Sequence, residues 1–221
     1  MNHTKTTLIA KSIAIASVGF CVGILMWWLY LSLTPTKLTP PTLTPKAISL
    51  LSDISAKSRI GDIIFRKGTN AESALISSIS KSPFSHIGII VSLEPLLIVH
   101  ATTDDNPQKQ NQVIISSGNE FLSQALSIGI RRTPLQAQEQ NLIATYALRQ
   151  VGKKFILNGD KNALYCTTLV RDAIGFASPS FAQTYAYAQA NFTFLGVAYI
   201  LPSAFWDDER LENVLELTTI E

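Results

Sequence analysis

The chain has 221 residues, 47% of them hydrophobic and 15% charged, which is room for one domain of ordinary size with short extra segments. Net charge is +2 but unevenly spread: residues 1–46 carry Lys5, Lys11, Lys37 and Lys46 and no acid, and the remainder holds 14 basic and 16 acidic residues. That remainder lacks the basic footprint of a nucleic-acid binder, and the only two cysteines, Cys21 and Cys166, have no metal-type spacing.

Residues 1–11 form a short polar start with Lys5 and Lys11. Ser12 to Leu33 is a run of 22 residues without a charge. As a helix it rises about 33 Å, enough to cross a hydrocarbon core of ~30 Å. Trp27, Trp28 and Tyr30 gather at its far end, where amphipathic rings favour the membrane interface. The lysines before it predict that the amino terminus stays in the cytoplasm and the rest crosses. A cleaved signal peptide has a shorter apolar core and a small-residue cleavage site, so residues 12–33 read as an uncleaved transmembrane signal anchor. Phe20 beside Cys21 disfavours lipoprotein processing, and a cysteine in this run is unlikely to meet Cys166. Residues 34–46 read TPTKLTPPTLTPK, a Pro/Thr-rich spacer that reaches roughly 40 Å at ~3.1 Å per residue. Residues 47–221 are then expected to form a domain exported across that membrane.

Within that domain, Ala47 to Ser58 has a weak helical pattern, and Gly61-Asp62 turns into a short strand, Ile63 to Arg66. Glu72 to Ile79 reads as a short helix. Ile87 to Leu93 and Leu96 to Ala101 are β-branched or apolar strands joined at Glu94-Pro95, a hairpin with His86 at one end and His100 near the other. Asp104 to Gln110 is a polar loop. Val113 to Ser116 and Ile128 to Arg132 are strands, with Glu120 to Ala125 a helix between them. Leu135 to Val151 is the longest helix, closed by Gly152. Phe181 to Phe194 is aromatic and fits neither period cleanly, Val197 to Leu201 is a strand closed by Pro202, and Arg210 to Leu217 is a last strand. Interspersed helices and hairpins predict an α+β class, an antiparallel sheet packed on helices.

Tyr165-Cys166-Thr167-Thr168-Leu169-Val170-Arg171-Asp172-Ala173 organises the chemistry. Leu169, Val170, Ala173, Ile174 and Ala177 make one apolar stripe, with Arg171 and Asp172 facing away. Cys166 falls at the start of this helix, where peptide dipoles and unpaired N–H groups favour thiolate over thiol. A thiol nucleophile needs an imidazole within reach and a third group to orient it. Of the chain's three histidines, His3 precedes the apolar run, which leaves His86 and His100. A cysteine alone is more often a small buried apolar residue, and a lone histidine a hydrogen-bonded core residue. The three together, in a domain with so few of either type, favour catalysis. The same three residues could instead ligate zinc.

The segments Gly61-Asp62-Ile63-Ile64-Phe65, Ser85-His86-Ile87-Gly88-Ile89-Ile90-Val91, Ile98-Val99-His100-Ala101 and Tyr165-Cys166-Thr167-Thr168-Leu169-Val170, in this order, resemble the circularly permuted papain-like hydrolases, in particular the YiiX-like branch of the NlpC-type superfamily. The resemblance spans roughly Ile60 to Leu217, with the histidine before the cysteine, and Phe155, Asp160 and Tyr165 match the family's approach to its cysteine. It implies a permuted papain-like fold with Cys166 as nucleophile, His86 as general base and His100 as the third, polar residue, with no cofactor and no metal. Thr167-Thr168 stands where relatives often have Ser-Glu, and Lys153-Lys154 near a place that is often acidic.

The expected activity is that of a cysteine hydrolase, an amidase or peptidase forming an acyl-enzyme, with the Cys166 N–H helping to bind the oxyanion. The expected partners are a cell-envelope peptide or a lipid-linked acyl substrate, together with the membrane through residues 12–33, and no nucleic acid. The alternatives are a thiol acyltransferase or lipase acting on lipid acyl groups, and a non-catalytic binding module with the same cleft.

Overall fold

The structure, a computed structural model, describes residues 43–69, 71–103, 111–158, 163–188, 192–194 and 197–220. The expected anchor at 12–33, most of the spacer, the loop Asp104 to Gln110 and Asp160 lie outside the described residues. Among the described residues no helix is long and apolar enough to cross a membrane. The folded unit containing the candidate site runs from Pro41 to Glu221.

The first helix, α1 (Pro45–Lys57), starts two residues before the hydrophobic pattern suggests. Thr44 caps it by accepting from the Ala47 N–H at 3.2 Å, and Pro45 sits in the first turn, where it has no N–H to waste. Then come β1 (Ile63–Gly68), α2 (Ala71–Ser80), the hairpin β2 (His86–Leu93) and β3 (Leu96–Thr102), β4 (Gln112–Ser117), α3 (Gly118–Ser123) and β5 (Ala125–Arg132). Ser117 and Glu120 close a reciprocal capping box on α3. Two long helices follow, α4 (Ala137–Gln150) and α5 (Cys166–Ala177). The ambiguous aromatic segment resolves into α6 (Pro179–Ala188) and the small hairpin β6 (Phe192–Phe194) and β7 (Val197–Tyr199). The short helix α7 (Ser203–Trp206), which no periodicity announces, precedes the last strand β8 (Glu212–Thr219).

Six strands form one antiparallel sheet in the order β4-β3-β2-β1-β5-β8. The expected α+β class with an antiparallel sheet packed on helices is therefore what the chain forms. Alternation along the strands divides the apolar residues between two cores. Ile63, Phe65, Ile87, Ile89 and Val99 face α4 and α5, where Ile143, Ala147, Leu169, Val170, Ala173 and Ile174 meet them. Ile64, Ile90, Ile98, Ile128 and Ile130 face α1 and α3, where Leu50, Ile54, Phe121 and Leu122 meet them. Trp206 of α7 stacks edge-on against Phe65 and Phe84 at 5.2 and 4.5 Å between ring centroids, over the backbone of Gly129.

One ion pair ties the head of β1 to the end of β5. Asp62 is fully buried and accepts from Arg132 Nε at 2.8 Å and Nη2 at 2.7 Å, and from the Arg59 N–H at 2.7 Å. Burial pushes the Asp62 carboxyl above its ordinary range, while the hydrogen bonds that Arg132 donates to Asp62 raise Arg132 further. Those directions compete, and the two-pronged geometry with a third backbone donor keeps the pair ionised at neutral pH. Asp62 thus acts in the architecture, away from the histidines.

Candidate active site

Three strands supply the polar residues. His86 is the first residue of β2, His100 lies inside β3 and Ser116 near the end of β4. Ile98, two residues before His100, pairs with Ser116 across β3 and β4, so His100 and Ser116 are diagonal neighbours on one face. His86 Nε2 stands 2.9 Å from His100 Nδ1, with the rings nearly perpendicular, and His100 Nε2 stands 3.0 Å from Ser116 Oγ. His100 and Ser116 are buried and His86 is half-buried. Phe121 of α3 lies beneath both imidazoles, 6.2 Å from His86 and 5.3 Å from His100 between centroids. Gly88 makes the space for this: a Cβ there would come within 2.7 Å of Ile98 Cγ2 and 3.1 Å of His100 Cβ.

Cys166 arrives from the other core. Its helix packs on β2, and the apolar stripe Leu169, Val170, Ala173 and Ile174 is buried as the spacing predicts, with Arg171 and Asp172 paired to each other at 2.7 Å. The sulfur meets β2 where the sheet opens. Ile90 exchanges backbone bonds with the β1 side, donating to Asp62 O and accepting from Gly61 N, so by alternation the Ile87 N–H points towards β3. Pairing of β2 with β3 begins only at Ile89, opposite Val99. The Ile87 N–H therefore has no ladder partner in β3 and donates to the Cys166 sulfur instead. This contact brings the thiol beside the residue that follows His86.

The first turn of α5 is held without covering its amides. Tyr165 gives no side-chain cap; instead Thr168 Oγ1 accepts from the Tyr165 N–H at 2.8 Å. Ile200 clamps the turn twice, donating its N–H to the Tyr165 hydroxyl at 3.0 Å and accepting from Thr167 Oγ1 at 2.8 Å. The N–H groups of Thr167 and Cys166 bear on the sulfur. Thr167 and Thr168, departures from the family pattern, thus serve the helix start: both are buried and hydrogen-bonded. Lys153 bonds Gln150 Oε1 at 2.7 Å.

The electrostatics correct one expectation. Helix-start placement predicts a favoured thiolate, yet burial pushes the Cys166 thiol up to about 11, outweighing the Ile87 and Thr167 N–H groups and the Arg66 charge that lower it. Taking a thiolate out of water costs more here than a few oriented N–H dipoles return. His86 lies well below its ordinary value, first through burial, then through the charges of Arg66 and His100. Both shifts favour the neutral forms, thiol at Cys166 and imidazole at His86. Arg66, opposite His86 in the β1–β2 register, is buried with its guanidinium 4.6 Å from the Phe121 ring centroid and bonded to the Phe121 carbonyl at 3.3 Å.

The facing nitrogens of His86 and His100 are spaced for a hydrogen bond. Two nitrogens at ~2.0–2.1 Å from a tetrahedral zinc stand roughly 3.3 Å apart. Among the described residues no three His, Cys, Asp or Glu side chains are grouped to hold a metal.

Cys166 stands at a helix start, and His86, which precedes it in sequence, heads the antiparallel strand whose Ile87 N–H meets the sulfur, an arrangement of the permuted papain-like kind. Residues 57–215 match the family described as permuted papain-like amidase enzyme, YaeF/YiiX, C92 family, and the chain belongs to it. The fold is similar to the crystal structure described as metalloprotein yiiX from Escherichia coli O157:H7, with a TM-score of 0.54 and 18% identity over 75% of this chain and 98% of that one. No curated protein matches the sequence.

Of the residues singled out from sequence, His86 and His100 come into direct contact and Cys166 reaches the adjacent backbone; Phe155 packs half-buried against the α4/α5 core. Sequence reasoning missed Ser116, Arg66 and Phe121. A polar residue at an inward position of the strand Val113-Ile114-Ile115-Ser116 is the one signal that points to Ser116.

Proposed function

We propose that this protein is a membrane-anchored cysteine amidase or peptidase that cleaves cell-envelope peptide or acyl-amide bonds through a thioester. The observation that supports this most is the series Ser116–His100–His86, which ends one residue before Ile87, whose N–H meets the Cys166 sulfur. His86 Nε2 is turned to His100, so Nδ1 is the atom left to serve Cys166. In the reaction the thiol proton passes to His86 Nδ1 as Sγ bonds the amide carbonyl carbon. The N–H groups of Cys166 and Thr167 at the helix start stabilise the oxyanion. His86 then hands the proton to the departing amine as the C–N bond breaks. Water attacks the thioester, giving its proton back to His86, and the thiol is released with the acid product. Since both shifts favour the neutral forms, proton transfer and attack occur together in this reading instead of starting from a standing thiolate.

The uncharged run Ser12 to Leu33 and the lysines before it support an anchor in the inner membrane with the catalytic domain in the periplasm. A reporter fused after Glu221 should then be active only in its exported form; cytoplasmic activity would overturn the location and the envelope substrate with it. The decisive assay offers the full chain peptide amides from the cell wall and matched acyl esters. Amide cleavage lost in Cys166→Ala supports the reading. Turnover of acyl esters alone would replace it with acyl transfer or lipase action, and binding without turnover with a non-catalytic module.

A further inference from the structure

A neutral imidazole has one donor and one acceptor nitrogen, so with both rings neutral the series Ser116–His100–His86 has two internally consistent wirings. In the first, His100 Nε2–H donates to Ser116 Oγ and His86 Nε2–H donates to His100 Nδ1. His86 Nδ1 then carries a bare lone pair. In the second, the Ser116 hydroxyl donates to His100 Nε2, His100 Nδ1–H donates to His86 Nε2, and His86 Nδ1 carries a proton. Only the first makes His86 a base. The distances of 2.9 and 3.0 Å admit both, and the burial of His100 and Ser116 leaves little room for water to complete a broken series.

We infer that Ser116 is a positioning residue: by accepting the His100 Nε2–H it fixes both imidazoles in the tautomers that leave His86 Nδ1 free to take the Cys166 proton. This rests on the catalytic role proposed above for Cys166 and His86. Removing the hydroxyl takes the Ser116 acceptor from the buried His100 Nε2–H, and orphaned buried donors are avoided more strictly than orphaned acceptors. The proton then moves to His100 Nδ1, donates to His86 Nε2, and forces the His86 proton onto Nδ1. Loss of Ser116 therefore reverses the whole series, with the consequence appearing two residues away.

The test is 15N NMR of the histidine-labelled full chain in detergent, carrying His3→Gln to remove the third signal, near neutral pH. Expected is an unprotonated His86 Nδ1 in the parent, a protonated Nδ1 in Ser116→Ala and Ser116→Val, and the parent pattern in Ser116→Thr, which keeps the hydroxyl at the volume of Val. Turnover should fall about 10-fold or more in the Ala and Val variants, through kcat with KM little changed, and return in Thr; this is below the ~10²–10⁴-fold value of the general base itself. A proton on His86 Nδ1 in the parent overturns the inference, and so do tautomers unmoved by Ala and Val. Where neither variant folds, the parent spectrum decides by itself. The tautomers are read without substrate, so failure of the hydrolase reading shows separately, as amide turnover that survives Cys166→Ala.

Discussion

His86 Nε2 faces His100 Nδ1 at 2.9 Å, which assigns the two nitrogens of His86 to different partners. One belongs to the sheet and the other is left for the thiol. The third residue of the site therefore acts on the ring of the second, and its loss should disturb orientation more than proton transfer.

His100→Ala should lower turnover by roughly 10–10³-fold, less than loss of the base, with the fold intact by circular dichroism. His100→Glu should recover part of it, since a carboxylate accepts the same His86 Nε2–H and can take a hydrogen bond from Ser116. His100→Leu should not. Full turnover in His100→Leu would remove His100 from the site.

The thiol should be slow to alkylate. Because burial pushes Cys166 up to about 11, its thiolate fraction at neutral pH is smaller than that of a free cysteine near ~8.5, and the rate with iodoacetamide should climb only in the alkaline range. The measurement is labelling rate against pH, followed by mass spectrometry at Cys166. A midpoint below about 8 would mean a standing thiolate and a different resting state.

Stability should depend on pH through His86. Its folded pKa is lowered by burial, Arg66 and His100, so the unfolded chain binds the proton first as pH falls below about 6.5. The contribution is fully present above the ordinary value and is lost as pH falls through the folded one. Denaturation of the parent and of His86→Gln between pH 8 and about 5 should show a decline that is shallower in the variant. Parallel curves would contradict the buried, neutral imidazole.

Gly88→Ala should damage the site without touching a catalytic group. The new Cβ presses on Ile98 Cγ2, the Val99 carbonyl and His100 Cβ, all within about 3 Å. Overpacking of this kind costs about 1–3 kcal/mol, and the adjustment displaces His100 from His86. Both Tm and kcat should fall. A stable variant with unchanged kcat would show that β2 and β3 absorb the methyl elsewhere.

Asp62→Asn should destabilise the domain by about 3–5 kcal/mol, because it removes the buried counter-charge of Arg132 and leaves only the exposed Glu212 at 3.5 Å. Replacing both residues, Asp62→Leu with Arg132→Met, should cost less, since no buried charge then remains. Urea denaturation of the three proteins decides it; a double variant weaker than the single one would mean the pair contributes net stability.

The sequence by itself determined what local physics controls. The apolar stripe of Leu169, Val170, Ala173 and Ile174 placed Cys166 at a helix start, and β-branched runs around Glu94-Pro95 placed His86 and His100 on one hairpin. Periods of 3.6 and 2 are properties of neighbouring residues, so these elements and the α+β class were legible, as was the order of the four family segments. Tertiary structure decided the rest. Which nitrogen of His86 meets His100, that Ser116 lies within reach of His100, and that β2 parts from β3 at Ile87 all depend on the register of strands distant in sequence. The upward push on the Cys166 thiol has the same origin. A helix terminus is visible in sequence, but the depth at which its first residue lies is set by packing between segments, and here desolvation outweighs the dipole.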